Sequence, residues 1–423
     1  MKDISILALF GINTDELENY YVEDTEPGAL SISVSKRRVM TPCPICGTFT
    51  CKVKDYRLKR YFFRNINGYD LKVFYKQRRY LCDCGKAFLE SNPFINNRNY
   101  KLSALKIQTI LARLRKTISI RQVAEDSGVS ESTVLKVLDQ YYQTPLRRMP
   151  RILSIDEFMS FNSNLTSKYS CLLINFESGN VIDVIRSRQK PWLMEYFGGV
   201  PLEQRLKVEY VIIDMYKTYK EIAKYYFPKS TVIIDPFHFI RYTTEAIDSV
   251  RIRVMMSFLE TEQEYKMLKK YKNLLLMKYE PDCFTRHRVR ILNDVRLTDL
   301  EILSRLLTYS DDLAEAYHIG HAFLTNQAKF DYEEFKEFIK STISIYSTSS
   351  IKEFHDVAET YTNWYAEICN SRGVKLGKRN LSNGPIEGRN NKIKVLKRVS
   401  FGLTNFDHLR KRIFLIFEDK ETP

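Results

Sequence analysis

The chain has 423 residues and a hydrophobic content of 44%, enough for about two to four domains with apolar cores. Its formal net charge of +15 favours a polyanionic partner, nucleic acid before an acidic membrane surface, although an ordinary basic soluble protein can carry the same charge. No apolar run reaches about 18 residues, so we expect no membrane contact, no signal peptide and a cytoplasmic location. In that compartment the eight cysteines are expected to be metal ligands or free thiols.

The first chemical pattern is a pair of cysteine turns. Cys43 and Cys46 form CPIC, and Cys82 and Cys84 form CDCG. Four thiolates from two short turns are typical of a structural Zn²⁺ site, whereas the alternative is a set of buried free cysteines. The second pair is CxC and not the commoner CxxC, which weakens the match.

The segment between the two turns, residues 52–81, alternates aromatic and basic residues. This pattern predicts a β-hairpin with Gly68 in its turn, and so a zinc-ribbon-like module. Its charges suit phosphate contacts from a rigid sheet, although a solvated strand face has the same pattern. Cys51 has no cysteine partner at the right spacing, and we interpret it as structural.

A helix-turn-helix motif follows at residues 118–141. Ala124 is small where two helices would cross, Gly128 suits a turn that needs positive φ, and Ser130 can cap the second helix. The recognition helix is predicted at 131–141. Some helix-turn-helix folds never touch DNA, so the motif alone leaves that alternative open. The side chains predicted to contact DNA are Arg121, Ser130, Ser132, Thr133 and Lys136.

From residue 152 the pattern predicts an α/β domain. The elements run βββ-α-β-α-β-α, an order found in ribonuclease-H-like folds with a mixed five-stranded sheet. The predicted strands cover residues 152–156, 169–177, 181–187, 208–215 and 231–235.

Two carboxylates stand at the ends of predicted neighbouring strands, Asp156 on the first and Asp214 on the fourth. Close carboxylates repel unless a cation joins them, and hard oxygen ligands favour Mg²⁺ or Mn²⁺. Asp235 on the fifth strand is the rival for the position of Asp214. His238 is predicted either to orient a phosphate or water or to be structural. Glu157, next to Asp156, should point to the opposite face of the strand.

The last chemical pattern surrounds Glu387. Pro385 suits the first turn of a helix over residues 385–398, where an acid is also favoured by the helix dipole. Glu387 can therefore be a helix-capping charge, or the third ligand that the two strand acids need. Asn391 lies one turn later and could touch the site or the DNA. The basic residues of this helix that are predicted to follow DNA are Arg389, Lys392, Lys394 and Lys397.

Together these motifs resemble bacterial insertion-sequence transposases of the DDE class, most closely the ISL-three family, over essentially the whole chain. The motifs that carry the resemblance are CPIC with CDCG, the helix-turn-helix at 118–141, SIDEF at 154–158, IIDMYKTY at 212–219, DPFHFIR at 235–241 and SNGPIEGRNNKIKVLKR at 382–398. The sequence departs from the family at Tyr216, where tryptophan is more frequent, and at Pro236, where arginine is frequent. Neither departure affects an acid.

The resemblance implies catalytic acids at Asp156, Asp214 and Glu387, with Asp235, His238 and Asn391 in supporting positions. It also implies metal-dependent cleavage and joining of DNA at terminal inverted repeats, by a homodimer or higher multimer associated with the nucleoid. The alternatives are a DNA-binding regulator with an inactive ribonuclease-H-like domain and a nuclease that does not join strands.

The predicted organisation has five regions. They are a zinc-binding module at 1–95, a helix-turn-helix domain at 100–145, the first part of the catalytic core at 150–240, an all-α insertion at 241–375, and the last core helix with a basic tail at 376–423.

Overall fold

The computed structural model describes residues 14–26, 29–66, 69–92, 102, 104–159, 168–277, 290–292, 295–376, 379–381, 384–400 and 405–418. The chain divides into two compact units, one of residues 1–146 with 391–423 and the other of residues 147–390. The chain passes between the units twice, at 146/147, between the predicted helix-turn-helix domain and core, and at 390/391, inside the last predicted region. The five predicted regions are finer than this division and stay predictions.

The first unit contains a five-stranded sheet with the order β1-β2-β6-β5, and β7 pairs with one end of β6. The strands are β1 (Leu17–Glu26), β2 (Ala29–Lys36), the short pair β3 (Thr41–Pro42) and β4 (Phe49–Thr50), then β5 (Val53–Ile66), β6 (Tyr69–Leu81) and β7 (Ala87–Leu89). The predicted hairpin is confirmed as β5–β6, although Gly68 lies outside the described residues. The sequence pattern did not predict β1 and β2, which extend the hairpin into a larger sheet.

Three helices of the first unit form the helix-turn-helix region: α1 (Ala104–Leu114), α2 (Ile120–Ser127) and α3 (Glu131–Tyr141). The predicted turn is confirmed, because Gly128 ends α2 at φ +59° and the Ser130 side chain accepts a hydrogen bond from the Thr133 N–H. Val123 of α2 and Val134 of α3 are fully buried. These apolar contacts hold the two helices at the angle that the turn sets.

The second unit is built on a mixed five-stranded sheet with the order β10-β9-β8-β11-β12. Strand β9 is antiparallel to β8 and β10, whereas β8, β11 and β12 run parallel. The predicted order of elements is confirmed, with a second short helix before β11. The elements are β8 (Ile152–Met159), β9 (Tyr169–Asn175), β10 (Val181–Ile185), α4 (Lys190–Gly198), α5 (Leu202–Arg205), β11 (Tyr210–Ile213), α6 (Lys217–Tyr226), β12 (Thr231–Ile234) and α7 (Pro236–Met255).

Both faces of this sheet are buried, which is why its strands are continuous apolar runs. Leu153 and Ile155 face a large core shared with the helices. On the other face Ile152 packs against Ile212 and Ile233. Alternation along β8 therefore puts Asp156 on the face of Ile152, beyond the end of the apolar cluster.

The remainder is mainly helical, as predicted, apart from short strand pairs. Its elements are α8 (Gln263–Lys270), α9 (Lys272–Leu276), β13 (Arg290–Leu292), β14 (Val295–Leu297), α10 (Asp299–Leu307), α11 (Asp311–Asn326), α12 (Tyr332–Thr348), α13 (Lys352–Asn363), α14 (Tyr365–Gly373), β15 (Lys375–Leu376), β16 (Arg379–Asn380), α15 (Gly384–Val399) and α16 (Phe406–Phe417). Among the described residues, no helix combines the length and apolar character that crossing a membrane requires.

Two helix starts with the same Ser/Thr-x-x-Glu spacing differ in their capping. Thr298 and Glu301 form a capping box at the start of α10. At the start of α13, the Ser350 hydroxyl donates to Glu315 and no side chain caps the helix. The Glu353 carboxylate instead pairs with Arg253. Long-range partners have here replaced the local cap.

The C-terminal helix α16 belongs to the first unit and packs against α1 and α3. Arg412 of this helix is fully buried and donates to the carbonyls of Lys116 and Ile118 between α1 and α2. His408 bonds Asp139 of α3 at 2.9 Å. The helix-turn-helix region thus gains a fourth helix from the far end of the chain.

Candidate functional site

An acidic cluster forms just past the carboxyl end of β11, where β8 continues beyond its parallel pairing with that strand. Asp156 lies inside β8, which extends to Met159, so the predicted end of the first strand at Asp156 is wrong. Ile212 pairs with Ser154 in the parallel register, and two residues further on this register brings Asp214 opposite Asp156. The carboxylate oxygens of Asp156, Asp214 and Glu157 all lie within 4.8 Å of one another. The strand register therefore brings together the two acids predicted from the strand ends.

Glu157 is a correction to the sequence prediction, which placed its carboxylate on the opposite face from Asp156. The Asp156 Oδ1 accepts the Glu157 N–H at 2.7 Å, so the shorter side chain turns along the strand. The longer Glu157 side chain forms an ion pair with Arg188, and the Tyr219 hydroxyl lies 3.5 Å from its Oε2. Alternation fixes where a Cβ points but not where a flexible carboxylate ends.

Burial and repulsion by the neighbouring acids dominate the electrostatics of Asp214 in this cluster. Burial, followed by the nearby charges of Glu157 and Asp156, raises the pKa of Asp214 to about 8. The Tyr216 N–H donates to Asp214 Oδ1 at 3.1 Å and lowers that pKa without offsetting the other effects. Buried carboxylates with this repulsion are the donor set that a hard divalent cation requires.

Arg188 supplies the positive charge nearest to Glu157, and the sequence patterns did not identify it. Its guanidinium carbon lies 4.5 Å from the ring centre of Tyr169 and 4.6 Å from that of Tyr216. The two aromatic rings and the Glu157 carboxylate hold the planar group in place. Arg188 therefore balances much of the charge of Glu157, and its charge also lowers the pKa of Asp214 without offsetting the effect of burial.

Asp235 follows β12, the next parallel strand, and its N–H donates to the carbonyl of Ile213 at 3.1 Å. It is not in the acidic group formed by Asp156, Glu157 and Asp214. Its Oδ2 lies 3.8 Å from His238 Nε2. Burial, followed by the charge of Arg241, lowers the pKa of His238, so this histidine is neutral near pH 7. The supporting roles of Asp235 and His238 stay predictions.

Helix α15 brings its first turns to the acidic cluster. Asn390, which the sequence analysis did not select, donates from Nδ2 to Asp156 Oδ2 at 2.7 Å. Glu387 is exposed, and its charge acts on His238 by raising that pKa. Within the described residues, Glu387 is not a member of the group with oxygens within 4.8 Å of one another. Asn391, the predicted neighbour of the site, is also exposed.

The basic residues of α15 differ in their surroundings. Arg389 is half-buried and donates to the carbonyl of Gly179 at 3.0 Å. Lys392 and Lys394 are exposed. Lys397 is half-buried, and burial lowers its pKa. Contacts of these residues with DNA stay predictions, with the two exposed lysines the most accessible.

The cysteine cluster is assembled as predicted. The Sγ atoms of Cys43 and Cys84 lie 3.8 Å apart, and those of Cys46 and Cys82 lie 3.5 Å apart. A tetrahedral Zn²⁺ with Zn–S bonds of about 2.3 Å implies sulfur separations of roughly 3.8 Å. Hydrogen bonds from the Thr48 hydroxyl and N–H lower the pKa of the Cys46 thiol to about 6, which favours the ligating thiolate. The four residues therefore fit a structural zinc ion.

The predicted DNA-contacting residues of the helix-turn-helix lie on its accessible side. Arg121 is exposed and pairs with Glu125, whereas Ser132 and Lys136 are exposed on α3. The Ser130 hydroxyl lies 2.9 Å from the hydroxyls of both Ser132 and Thr133, in addition to capping α3. Ser130 therefore has a structural role, and the DNA contacts of the group stay predictions.

Comparisons with known proteins agree with these features. A family model described as a transposase, of the DDE class and ISL-three type, matches residues 153–413, more than half of the chain. A model described as the helix-turn-helix domain of resolvase matches residues 98–140. A protein named ATP-dependent protease, from Lactococcus lactis subsp. lactis, is 30% identical over 123 residues, which is 29% of this chain. The match covers 36% of that relative, about a third of its length.

Proposed function

Because the chain belongs to the ISL-three family of DDE transposases, we propose that it binds the terminal inverted repeats of an insertion sequence and catalyses DNA cleavage and strand transfer. The observation that carries this proposal is the pair Asp156 and Asp214 on adjacent parallel strands, with the pKa of Asp214 raised to about 8. A buried charge that is repelled by its neighbours is expected where a cation completes the site.

We infer that the second unit contains a ribonuclease-H-like core. The strand order β10-β9-β8-β11-β12, with an antiparallel flank on a parallel centre, supports this inference. In such a core the proposed chemistry would take place where Asp156, inside β8, lies beside Asp214, directly after β11. The helical segments after α7 belong to the proposed insertion.

In the proposed mechanism, Asp156, Asp214 and Glu387 would hold Mg²⁺ or Mn²⁺. Two such ions, when bound there, would supply activation of the attacking oxygen and stabilisation of the leaving oxygen of the phosphodiester. Asp156 and Asp214 would provide the fixed part of the site, because Asp156 lies within β8 and Asp214 directly follows the adjacent strand β11. Glu387 approaches from the first turn of α15, and its exposed carboxylate can move toward the strand acids. We propose that Glu157 serves as the partner of Arg188 and not as a ligand, although its carboxylate lies in the same acidic group.

The first unit is proposed to recognise the DNA ends. The recognition helix α3 suits the major groove, and the cysteine cluster with Zn²⁺ fixes the turns next to the basic hairpin. The exposed Lys136, Lys392 and Lys394 add sequence-independent phosphate contacts. Paired-end chemistry implies a homodimer or higher multimer on inverted repeats and target DNA, and this function implies a cytoplasmic, nucleoid-associated protein.

The test uses three isosteric variants, Asp156→Asn, Asp214→Asn and Glu387→Gln, with Glu203→Gln as the matched control. Glu203 is an exposed acid paired with Lys207 on the same unit. The substrate is a duplex that contains the inverted repeats flanking the gene, with Mg²⁺ present. We expect each of the three variants to lose cleavage by on the order of 10³-fold or more while binding the duplex normally.

The outcomes separate the alternatives. If the wild-type protein binds the DNA ends but does not cleave them, it is a DNA-binding regulator with an inactive ribonuclease-H-like domain. Cleavage without joined products identifies a nuclease that lacks strand transfer. A Glu387→Gln variant with wild-type cleavage removes Glu387 from the proposed site.

A further inference from the structure

Asn390 is a buried amide in contact with the first catalytic acid. Its side chain is 5% exposed, and Nδ2 donates to Asp156 Oδ2 at 2.7 Å. The same Nδ2 lies 3.4 Å from the carbonyl of Glu157. Because Asp156 Oδ1 already accepts the Glu157 N–H at 2.7 Å, both carboxylate oxygens of Asp156 are fixed by donors.

The other end of this amide, Oδ1, is buried and has no hydrogen-bond partner among the described residues, as is true of several other buried polar atoms. An acceptor that loses water without gaining a donor is costly, and such atoms are rare in folded proteins. Apolar residues of similar volume would fill the space without this cost. This free-energy cost is explained if the hydrogen bond from the amide to Asp156 is needed in the acidic site.

We propose that Asn390 is a positioning residue that orients Asp156 for the divalent cation and ties the helix of Glu387 to strand β8. This inference rests on the proposed function of the acidic cluster. Asn390 lies three positions after Glu387, so the two side chains share one side of α15. A single hydrogen bond therefore links the strand that carries the first acid to the helix that carries the last.

The neutral charge of the amide is essential to this role. A lysine or arginine at position 390 would hold Asp156 equally well, but its charge would compete with the cation. An aspartate there would add a further negative charge within hydrogen-bond distance of Asp156. Asparagine donates a hydrogen bond while leaving the negative charge of the cluster for the cation, as donors behind metal-binding carboxylates generally do.

The experiment compares Asn390→Leu, which keeps the branched shape and the number of side-chain heavy atoms, and Asn390→Ala with the control Asn370→Ala. The Asn370 amide donates to the carbonyl of Val232 at 2.8 Å elsewhere in the same unit. Mn²⁺ binding to the metal-free acidic site is measured by electron paramagnetic resonance of the free ion, with the zinc site loaded. End binding and cleavage are measured in parallel.

We expect both Asn390 variants to bind Mn²⁺ about 10- to 100-fold more weakly than the wild type. Their cleavage should fall at low Mn²⁺ and recover in part at high Mn²⁺, with end binding within about twofold of wild type. Asn370→Ala should lower the melting temperature without changing Mn²⁺ affinity. A merely structural role for Asn390 would give the same pattern as Asn370.

Two failures are distinguishable. If Asn390→Leu or Asn390→Ala binds Mn²⁺ as tightly as the wild type, the inference about Asn390 is overturned while the proposed function stands. If the wild type binds Mn²⁺ through Asp156 and Asp214 but cleaves no end DNA, the proposed function is overturned. In that case the Mn²⁺ affinities alone still decide whether Asn390 orients Asp156.

Discussion

The cysteine cluster and the acidic cluster are both groups of residues that could hold a metal ion, but the chain builds them in different ways. Each pair of cysteines lies in one tight turn with a glycine at positive φ, Gly47 in the first and Gly85 in the second. The acids lie on strands that are distant in sequence, and only the parallel register of β8 and β11 brings them together. The positions of the soft thiolates are thus fixed by two short turns, whereas the positions of the hard carboxylates depend on strand pairing in the sheet.

Because of this difference, we expect that removing a residue of one cluster leaves the function of the other cluster intact. Loss of a zinc ligand should unfold the local module and abolish recognition, because small zinc modules take much of their stability from the metal. Loss of an acid should leave the sheet and DNA recognition intact and remove only chemistry.

The largest expected effect is that of Cys82→Ser on end binding. We expect a loss of more than about 100-fold in affinity for the inverted-repeat duplex, measured by fluorescence anisotropy, together with loss of bound zinc. Cys51→Ser is the control, since Cys51 is a free cysteine outside the cluster. Normal end binding by a zinc-free Cys82→Ser protein would contradict a role for the cluster in recognition.

The next effect concerns stability against pH in the absence of Mg²⁺. The folded-state pKa of Asp214, about 8, lies above its ordinary value of 3.8, so ionisation of this group opposes folding. The penalty is absent below pH 4, grows as pH rises to 8 and then stays constant, reaching on the order of a few kcal/mol. The wild type should therefore lose stability relative to Asp214→Asn over this range.

Melting curves at pH 5 and pH 8 measure this difference. The quantity of interest is the melting temperature of the metal-free wild type minus that of Asp214→Asn. This difference should be roughly 5–10 °C lower at pH 8 than at pH 5. Saturating Mg²⁺ should remove the difference, because the cation replaces the missing compensation. If the melting temperatures of the two proteins change in parallel with pH, ionisation of Asp214 does not destabilise the folded protein.

A smaller effect is expected from Arg188→Ala. Glu157 then loses its cation beside Asp214, and we expect the free energy of unfolding of the metal-free protein to fall by about 1–3 kcal/mol. Arg151→Ala, which breaks exposed ion pairs with Glu177 and Glu209, should cost at most about 1 kcal/mol. Added Mg²⁺ should stabilise Arg188→Ala more than the control. An equal response of both variants in urea titrations would place Arg188 outside the electrostatics of the site.

The difference between the two clusters also explains which features could be predicted from the sequence. The cysteine turns and the helix-turn-helix were predictable because spacing and turn residues such as Gly128 determine them locally. Asp156 and Asp214 were predictable because apolar runs end at each of them. The sheet order follows from the pattern of runs, but β1 and β2 lacked a comparable signal.

The residues that were missed depend on contacts between distant segments. Glu157 joins the acids because of its side-chain length and its pairing with Arg188, neither of which strand alternation contains. Asn390 and Asn391 are equally compatible with a helix that begins near Pro385, at three and four residues after Glu387. Only the packing of α15 against β8 distinguishes them, and it selects Asn390.

The central claim is that Asp156, Asp214 and Glu387 form the cation site of the transposase. Its most direct test is an anomalous diffraction map at the manganese edge, from crystals of the wild-type protein with inverted-repeat DNA and Mn²⁺. The proposed site predicts Mn²⁺ bound to Asp156 and Asp214, with a Glu387 oxygen within bonding distance and Glu157 still paired with Arg188. Mn²⁺ held by Asp156, Asp214 and Glu157, with Glu387 remaining in solvent, would contradict it.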